Sequence, residues 1–274
     1  MGVLNVTPDS FSDGGQYPTT RAVVERARAL LAEGADLLDL GGESTRPDAA
    51  PIDASTELAR VLPALAALRQ NFSAAPISID TYKAEVAEAA IHAGADLVND
   101  IWGATHGLTP AQRRAAPPPR SPMAETVARL RCPIILMHNR PDKNYANFWA
   151  DVLADLKFSL ALAQAAGVPA HQIWLDPGFG FAKDPAQNLE VLKNLHRLVA
   201  LGHPVLLGAS RKSTLGKVLG GAPAHDRLEG TAATLVWGIQ QGCAMVRLHE
   251  IAPLRRFLTM ADAIKAGENW VADC

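Results

Sequence analysis

Acidic and amide residues stand where several short apolar runs of this 274-residue chain end, at Asp80, Asn99 and Asp176. A carboxylate only accepts hydrogen bonds, whereas an amide both donates and accepts them. Such a set suits a flat heterocycle with an amino-pyrimidinone edge, because that edge offers adjacent N–H donors and a carbonyl. These residues therefore predict a binding site for one polar aromatic ring.

Cationic residues follow other strand-like runs or stand in a loop, at Arg46, Lys212, Arg247 and His249. Guanidinium and ammonium groups are the side chains that bind phosphate oxygens. The predicted ligand therefore carries a polyanion such as phosphate or diphosphate beside its ring. Known phosphate loops do not account for the pattern, because residues 208–213 (GASRKS) lack the glycine and lysine spacing of a P-loop.

The composition excludes other classes of function. The net charge of −2 argues against a nucleic-acid binder. No apolar run approaches the roughly 18 residues of a membrane span, and the start of the chain lacks the features of a signal peptide. Three scattered cysteines indicate neither a disulfide framework nor a zinc site. We expect a cytoplasmic protein that binds no membrane and no nucleic acid.

A repeated phrase indicates which elements position these residues. The segment 32–39 (AEGADLLD) is echoed at 92–99 (HAGADLVN), and in both a helical pattern ends at glycine before a short apolar run. Similar runs elsewhere give eight strand candidates. They are residues 1–6, 37–40, 77–80, 97–100, 134–138, 173–176, 205–209 and 245–248. Eight β-then-α units predict a single-domain (β/α)8 TIM barrel over residues 1–274, with a doubly wound sheet as the alternative.

The segments between the strands contain helical patterns and one interruption. Apolar residues from Leu58 to Leu68 form one stripe, and a second starts at Phe148, with Asn147 as its cap and Gly167 at its end. Residues 107–122 contain five prolines, so they are expected to form a long surface loop.

The carboxyl ends of the strands carry the active site in barrels of this type. Burying a polar group without a partner costs several kcal/mol. A set of polar strand ends around one opening would therefore destabilise the fold if it had only a structural role, which favours a binding role. Side chains alternate along a strand, so Asp100 is expected to point away from its neighbour Asn99. We expect His138 to be structural.

Several motifs resemble those of the dihydropteroate synthase family, which binds pterins. They lie in family order between positions 5 and 249. They are residues 5–15 (NVTPDSFSDGG), 39–47 (DLGGESTRP), 78–81 (SIDT), 99–101 (NDI), 136–138 (LMH), 176–181 (DPGFGF), 210–213 (SRKS) and 247–249 (RLH).

The resemblance implies an enzyme of folate biosynthesis that joins 6-hydroxymethyl-7,8-dihydropterin diphosphate to p-aminobenzoate and releases diphosphate. The positions that match pterin contacts are Asp80, Asn99, Ile101, Asp176, Lys212 and Arg247, with Met137 packing under the ring. The diphosphate contacts are Asn5, Arg46, Arg247 and His249, with Mg²⁺ near Asn5 and Asp13. The p-aminobenzoate pocket is Thr45, Pro47, Phe181 and Ser213.

The chemistry of the implied reaction favours an SN1-like displacement. Asp80, Asp176, Lys212, Arg247, His249 and Asp13 are its expected catalytic residues. Cationic groups and Mg²⁺ would neutralise the departing diphosphate, while the acidic groups favour the positive charge left on the methylene. The resemblance also implies inhibition by sulfonamides and a homodimer.

The chain departs from the family pattern at its start, where the family has a short hairpin that is missing here. Residues 107–122 look longer than the family loop, and Glu250 stands where aspartate is more common. Two alternatives stay open, a pterin-binding methyltransferase barrel and a non-catalytic pterin-binding paralogue.

Overall fold

Eight parallel strands form the centre of the protein in the computed structural model, which describes residues 1–7, 19–45 and 49–271. The strands are β1 (Gly2–Asn5), β2 (Leu38–Gly41), β3 (Ile77–Asp80), β4 (Leu97–Asp100), β5 (Ile134–Met137), β6 (Ile173–Asp176), β7 (Leu206–Leu207) and β8 (Met245–Val246). Each lies inside or within one residue of a predicted run. The runs were recognisable because strands covered on both faces are continuously apolar.

The strands close into a ring. Strands β1 to β6 pair in sequence order, and β7 pairs with β8. Two single bridges join these sheets, Leu175 with Val205 and Gly2 with Leu248. Closure leaves no sheet edge, so the predicted barrel is confirmed and the doubly wound open sheet is wrong.

Helices surround the ring. They are α1 (Thr20–Ala32), α2 (Ala54–Asn71), α3 (Ala84–His92), α4 (Pro122–Leu130), α5 (Phe148–Ala165), α6 (Pro185–Lys193), α7 (His196–Val199), α8 (Ser213–Val218), α9 (Leu228–Gln240) and α10 (Ala252–Ala266). The Asn147 side chain caps α5 by accepting from the Ala150 amide, as predicted. Gly167 follows α5 with a φ of 94°, a left-handed conformation that glycine adopts at little cost.

The proline-rich segment differs from its prediction at its last residue. Pro122 is the first residue of α4, where a missing amide hydrogen costs nothing, and the hydroxyl of Ser121 caps that helix. The segment also contains a 3₁₀ turn at Gln112–Arg114. The surface loop therefore ends at residue 121.

The barrel interior is apolar at the floor and polar at the carboxyl ends of the strands. An apolar cluster fills its floor, with Met1, Leu37, Ile135 and Leu206 buried together. A larger apolar core lies between the outer faces of the strands and the helices. Because side chains alternate along each strand, the inward positions above the floor carry the polar residues at the strand ends. In the part of the chain that the structure describes, no helix is both long and apolar enough to cross a bilayer.

Candidate active site

A cavity with about 340 Å³ of empty space, which includes space open to solvent, lies at the carboxyl ends of the strands. Strands and the loops that follow them supply its walls. The lining residues are Thr45, Asp80, Asn99, Ile101, Met137, Asp176, Phe179, Phe181, Gly208, Lys212 and Arg247. The cavity combines carboxylates, an amide, two cations and aromatic rings on one surface, so it can bind a polar ring and an anionic group together.

The Arg247 guanidinium joins two acidic strand ends. Its Nε donates to Asp39 Oδ2 at 2.5 Å and its Nη2 donates to Asp80 Oδ2 at 2.7 Å. The Asn99 amide also donates to Asp39 Oδ2, at 3.2 Å. Asp39 is fully buried, so its charge depends on these partners. The two hydrogen bonds from Arg247 to Asp39 and Asp80 fix its side chain in the cavity wall.

Two carboxylate oxygens of this cluster are buried without a hydrogen-bond partner among the described residues. They are Asp39 Oδ1 and Asp80 Oδ1. An unpaired buried acceptor costs roughly 1–3 kcal/mol, so a ligand that donates to it recovers that free energy. Because Asp80 lines the cavity, its free oxygen favours a ligand that carries N–H donors.

Burial perturbs the ionisable groups of the cavity. Loss of hydration raises the pKa of Asp80 to about 7, although the Arg247 charge acts in the opposite direction. Burial likewise raises the pKa of Asp176 to about 6, against the hydrogen bond from the Gly178 amide. Burial lowers the pKa of Lys212 to about 8. Such perturbed groups gathered in one cleft are typical of functional sites.

The loop after β6 places an aromatic ring over a cation. Lys212 Nζ lies 4.1 Å from the centre of the Phe181 ring, a distance at which ring and charge attract each other. A side chain at Gly180 would come within 2.9 Å of Lys212 Cδ, so the glycine allows this close approach. The loop and the lysine therefore pack as one wall of the cavity.

The loop after β2 is attached to neighbouring elements by Glu43. Its carboxylate forms an ion pair with Lys83 and accepts from the Tyr82 hydroxyl at 2.9 Å. The Lys83 ammonium also bonds the buried Glu57 carboxylate at 2.6 Å. Thr45, two residues after Glu43, is thereby placed at the cavity.

The structure brings together nine of the predicted site residues in the cavity lining. They are Thr45, Asp80, Asn99, Ile101, Met137, Asp176, Phe181, Lys212 and Arg247. Three others lie outside the lining. Asn5 ends β1, Ser213 is the exposed first residue of α8, and His249 follows β8 with its Nδ1 3.1 Å from Ser210 Oγ. Asp13, Arg46 and Pro47 lie outside the described residues.

Asn5 is the described member of the predicted metal pair. A side-chain carbon at Gly41 would come within 3.1 Å of Asn5 Oδ1, so the glycine leaves room beside that oxygen. Among the described residues, no three His, Cys, Asp or Glu side chains form a group that could hold a metal ion. Magnesium is commonly bound by few protein oxygens together with substrate phosphates, and Asn5 fits that pattern.

The structure confirms the orientation expected for Asp100, and it places His138 beside the site. Asp100 points away from the cavity, because its two oxygens accept from the amides of Trp102 and Ala104 at 2.8 and 2.7 Å. The buried His138 lies with Nε2 3.1 Å from Asp155 Oδ2 and is absent from the lining of this cavity.

Sequence reasoning missed several functional positions. Asp39 was part of the motif at residues 39–47 but was not expected to be a partner of Arg247, and Phe179 and Gly208 were not singled out as lining residues. Lys183 was missed because a lysine in a loop is ordinarily exposed, yet it is only 4% exposed. The available signal was its place after residues 176–181, whose two glycines predict a tight loop.

Comparisons with known proteins point to one family. Residues 1–249 match the model of the family described as pterin binding enzyme. A dihydropteroate synthase from Bacillus subtilis is 45% identical over 264 residues, 96% of this chain and 87% of the relative.

Solved structures agree with this match. A dihydropteroate synthase from Clostridium difficile, solved in the presence of pteroic acid, is 43% identical with a TM-score of 0.87, and the match covers 96% of this chain and 95% of that one. A Xanthomonas albilineans dihydropteroate synthase with 4-aminobenzoic acid is 39% identical with a TM-score of 0.87, covering 97% and 93%.

The raised pKa of Asp176 predicts a pH-dependent stability. The native state keeps this proton to higher pH than the unfolded chain, so the stabilisation is complete below pH about 4 and is lost as the pH rises through about 6. We expect the free energy of unfolding of the wild type, relative to Asp176→Asn, to fall by on the order of 2–3 kcal/mol between these pH values. Denaturant titrations across the range measure this difference.

Asp262→Asn is the matched control, because Asp262 is exposed on α10. The offset of Asp262→Asn is the background against which the offset of Asp176→Asn is compared. A pH-independent offset for Asp176→Asn would contradict the assigned perturbation.

Proposed function

The chain belongs to the pterin binding enzyme family and has dihydropteroate synthase function, and we propose that the mouth of its barrel is where this reaction occurs. The substrates are 6-hydroxymethyl-7,8-dihydropterin diphosphate and p-aminobenzoate, and the products are 7,8-dihydropteroate and diphosphate. The relatives and solved structures described above are dihydropteroate synthases, so they lend no support to a methyltransferase or a non-catalytic paralogue.

The observation that carries the placement of the pterin is the set of acceptors at the cavity. Asp80, Asn99 and Asp176 line it together, and Asp80 Oδ1 is buried without a partner among the described residues. An amino-pyrimidinone edge carries N–H groups that can donate to such carboxylates. We place the ring between these strand ends, with Ile101 and Met137 packing against it.

The diphosphate of the substrate is proposed to lie on the β8 side of the cavity. Arg247 lines the cavity there, and His249 follows two residues later. His249 is held through its main chain, because Arg26 donates to its carbonyl at 2.7 Å. Arg46, which belongs to the undescribed part of the loop after β2, is proposed as a further contact.

Mg²⁺ is proposed to be held by Asn5 and Asp13 together with diphosphate oxygens. The room that Gly41 leaves beside the amide oxygen of Asn5 supports this assignment, since Mg²⁺ takes oxygen ligands and is commonly bound together with substrate phosphates. When bound, the ion would supply positive charge to the leaving group.

The proposed chemical step is a dissociative displacement. The bond between the pterin methylene carbon and the diphosphate oxygen breaks, and its electron pair leaves with the oxygen. Asp80 and Asp176 favour the positive charge shared by the methylene and the ring, while Arg247 and Lys212 favour the departing anion. The amine nitrogen of p-aminobenzoate then bonds to the methylene carbon and releases a proton to solvent. No strong general base is required.

The second substrate is proposed to bind at the outer part of the cavity. Thr45 and Phe181 line it there, and Ser213 and Pro47 complete the proposed pocket. Phe181 offers a ring face against the aromatic ring of p-aminobenzoate. Sulfonamides resemble that substrate, so we propose that they compete for the same pocket.

We further propose a homodimer formed through the last helices, in a cytoplasmic protein. Helices α9 and α10 pack against each other. They leave large apolar side chains about half exposed, namely Trp237, Phe257, Met260 and Ile264. Exposed apolar clusters of this kind mark protein interfaces.

A product assay tests the proposed reaction. The protein is mixed with the pterin diphosphate, labelled p-aminobenzoate and Mg²⁺, and dihydropteroate is followed by chromatography. We expect product that decreases on addition of a sulfonamide and on removal of Mg²⁺ with a chelator. Absence of product above background would refute the placement of this activity in the chain, and sulfonamide-insensitive turnover would refute the shared pocket.

The Arg247→Ala variant tests the assignment of the diphosphate. Loss of a desolvated cation should weaken binding of the pterin diphosphate by roughly 2–5 kcal/mol. Titration calorimetry measures this, with 6-hydroxymethyl-7,8-dihydropterin, which lacks the diphosphate, as the matched ligand. Arg247 also holds Asp80, so some weakening of both ligands is compatible with the assignment. Equal weakening of both ligands would contradict a contact between Arg247 and the diphosphate.

The variant Met260→Glu tests the dimer. A charge at the centre of an apolar interface should dissociate it, because the carboxylate loses its hydration there. Sedimentation velocity should then show a dimeric wild type and a monomeric variant. Leu189→Glu on α6 is the control, since Leu189 is similarly exposed elsewhere on the barrel. A wild type that sediments as a monomer would reject the proposal.

A further inference from the structure

The loop between β6 and α6 wraps around a buried ammonium group. Lys183 is 4% exposed although it lies in a loop. The backbone turns back on itself at Gly178, Gly180 and Ala182, which have φ values of 66°, 84° and 45°. A side-chain carbon at Gly178 would lie 1.9 Å from the His138 carbonyl oxygen, so only glycine allows the loop to pack here.

Three acceptors converge on Lys183 Nζ. The carbonyl oxygens of Gly178 and Phe181 lie 3.1 Å from it, and His138 Nδ1 lies 2.8 Å from it. A protonated lysine has three N–H donors and no acceptor, so these three partners match its donors one to one. Two of the partners belong to the loop itself, and the ammonium therefore holds both halves of the loop together.

His138 is held in the neutral form whose Nδ1 accepts a hydrogen bond. Burial lowers the pKa of His138 to about 4, and the Lys183 charge acts in the same direction, so the ring is neutral near pH 7. Its Nε2 lies 3.1 Å from Asp155 Oδ2, which also accepts from Arg140 Nε at 2.5 Å. A neutral ring that donates from Nε2 to a carboxylate leaves Nδ1 free to accept from the lysine.

Other charges act on Lys183 from several sides. Burial lowers its pKa to about 7, whereas Asp176 and Asp155 act to raise it and Arg140 and Lys212 act to lower it. The protonated form therefore depends on the acceptors around it.

The held loop carries the aromatic wall of the cavity. Phe181, whose carbonyl accepts from Lys183, places its ring against the Lys212 ammonium. Phe181 and Lys212 line the cavity, but Lys183 does not. Lys183 therefore acts on the site from outside the cavity, through the residues that it holds and through its charge, which acts to lower the pKa of Asp176.

We propose that Lys183 is a positioning residue that fixes Phe181 for the aniline substrate. The inference rests on the proposed function, in which Phe181 contacts p-aminobenzoate. Without the ammonium, two carbonyl oxygens and one ring nitrogen lose their donor in a buried place, and the loop leaves its present path. Asp80 and Asn99, which contact the pterin, lie on strands and keep their positions. Loss of Lys183 therefore impairs one substrate more than the other.

Lys183→Met provides the test, since methionine has a similar length and no charge. We expect the KM for p-aminobenzoate to rise at least about tenfold, the equivalent of about 1.4 kcal/mol or one to two hydrogen bonds. The KM for the pterin diphosphate should stay within about twofold of the wild type, a change smaller than one hydrogen bond. Lys193→Met, an exposed lysine on α6, is the matched control and should leave both values unchanged.

A double-variant cycle shows whether Lys183 acts through Phe181. In a Phe181→Ala background, Lys183→Met should add little to the KM for p-aminobenzoate, because the ring it positions is already gone. Additive effects, or equal rises in both KM values, would overturn the proposal.

The remaining outcomes are also decisive. If Lys183→Met does not fold, Lys183→Gln, which keeps two N–H donors, is measured against the same criterion. Failure of both variants to fold would overturn the inference, since the ammonium would then be required by the barrel and not by one substrate. A wild type without product would instead contradict the proposed function, and this outcome is read before any variant.

Discussion

The site depends on one buried contact, the Arg247 guanidinium between the carboxylates of Asp39 and Asp80. A buried carboxylate loses its hydration, and without a cation within hydrogen-bond distance its charge would strongly destabilise the folded state. A planar guanidinium meets two carboxylates from different strands at once, which a lysine cannot do with the same fixed geometry. The contact therefore offsets the cost of burying the acidic groups, one of which is proposed to bind the pterin ring. It also places a positive charge where the anionic part of the substrate is proposed to lie.

Two kinds of support surround this contact. Strand ends hold the groups proposed to contact the pterin, and their positions follow from the register of the barrel. Two loops carry Thr45 and Phe181, which are proposed to contact the second substrate, and each of these loops is attached by a lysine. Lys83 bonds Glu43 in the loop after β2, and Lys183 bonds the backbone of the loop after β6. In both places, charge and hydrogen bonding supply the order that loops otherwise lack.

The sequence was sufficient to predict the eight strands and most of the cavity, for a physical reason. Strands covered on both faces are continuously apolar, so a polar residue such as Asp80 or Asp176 marks their ends. Contacts between distant segments could not be predicted in this way. The bond from Arg247 to Asp39 joins residues 208 positions apart, and nothing local distinguishes Asp39 from a helix cap. A lysine in a loop is ordinarily exposed, so the sequence predicts an exposed Lys183. In the structure Lys183 is buried, and two of its three acceptors are backbone carbonyls, which have no sequence signature. Pro122 is compatible with both a loop and a first helical turn.

The barrel closes at two joints, between β6 and β7 and between β8 and β1, where the strands are joined by few residues. Strands β7 and β8 have two residues each, and single bridges connect them to β6 and β1. Regions with few backbone hydrogen bonds open first in native-state fluctuations, and their amides exchange with solvent soonest. The Arg247 side chain follows β8 and spans the joint with β1 to reach Asp39 on β2 and Asp80 on β3, so its two ion pairs help to hold that joint closed. Local opening there would separate the Arg247 cation from the acidic strand ends. The same opening would therefore also displace the cation that is proposed to bind the diphosphate.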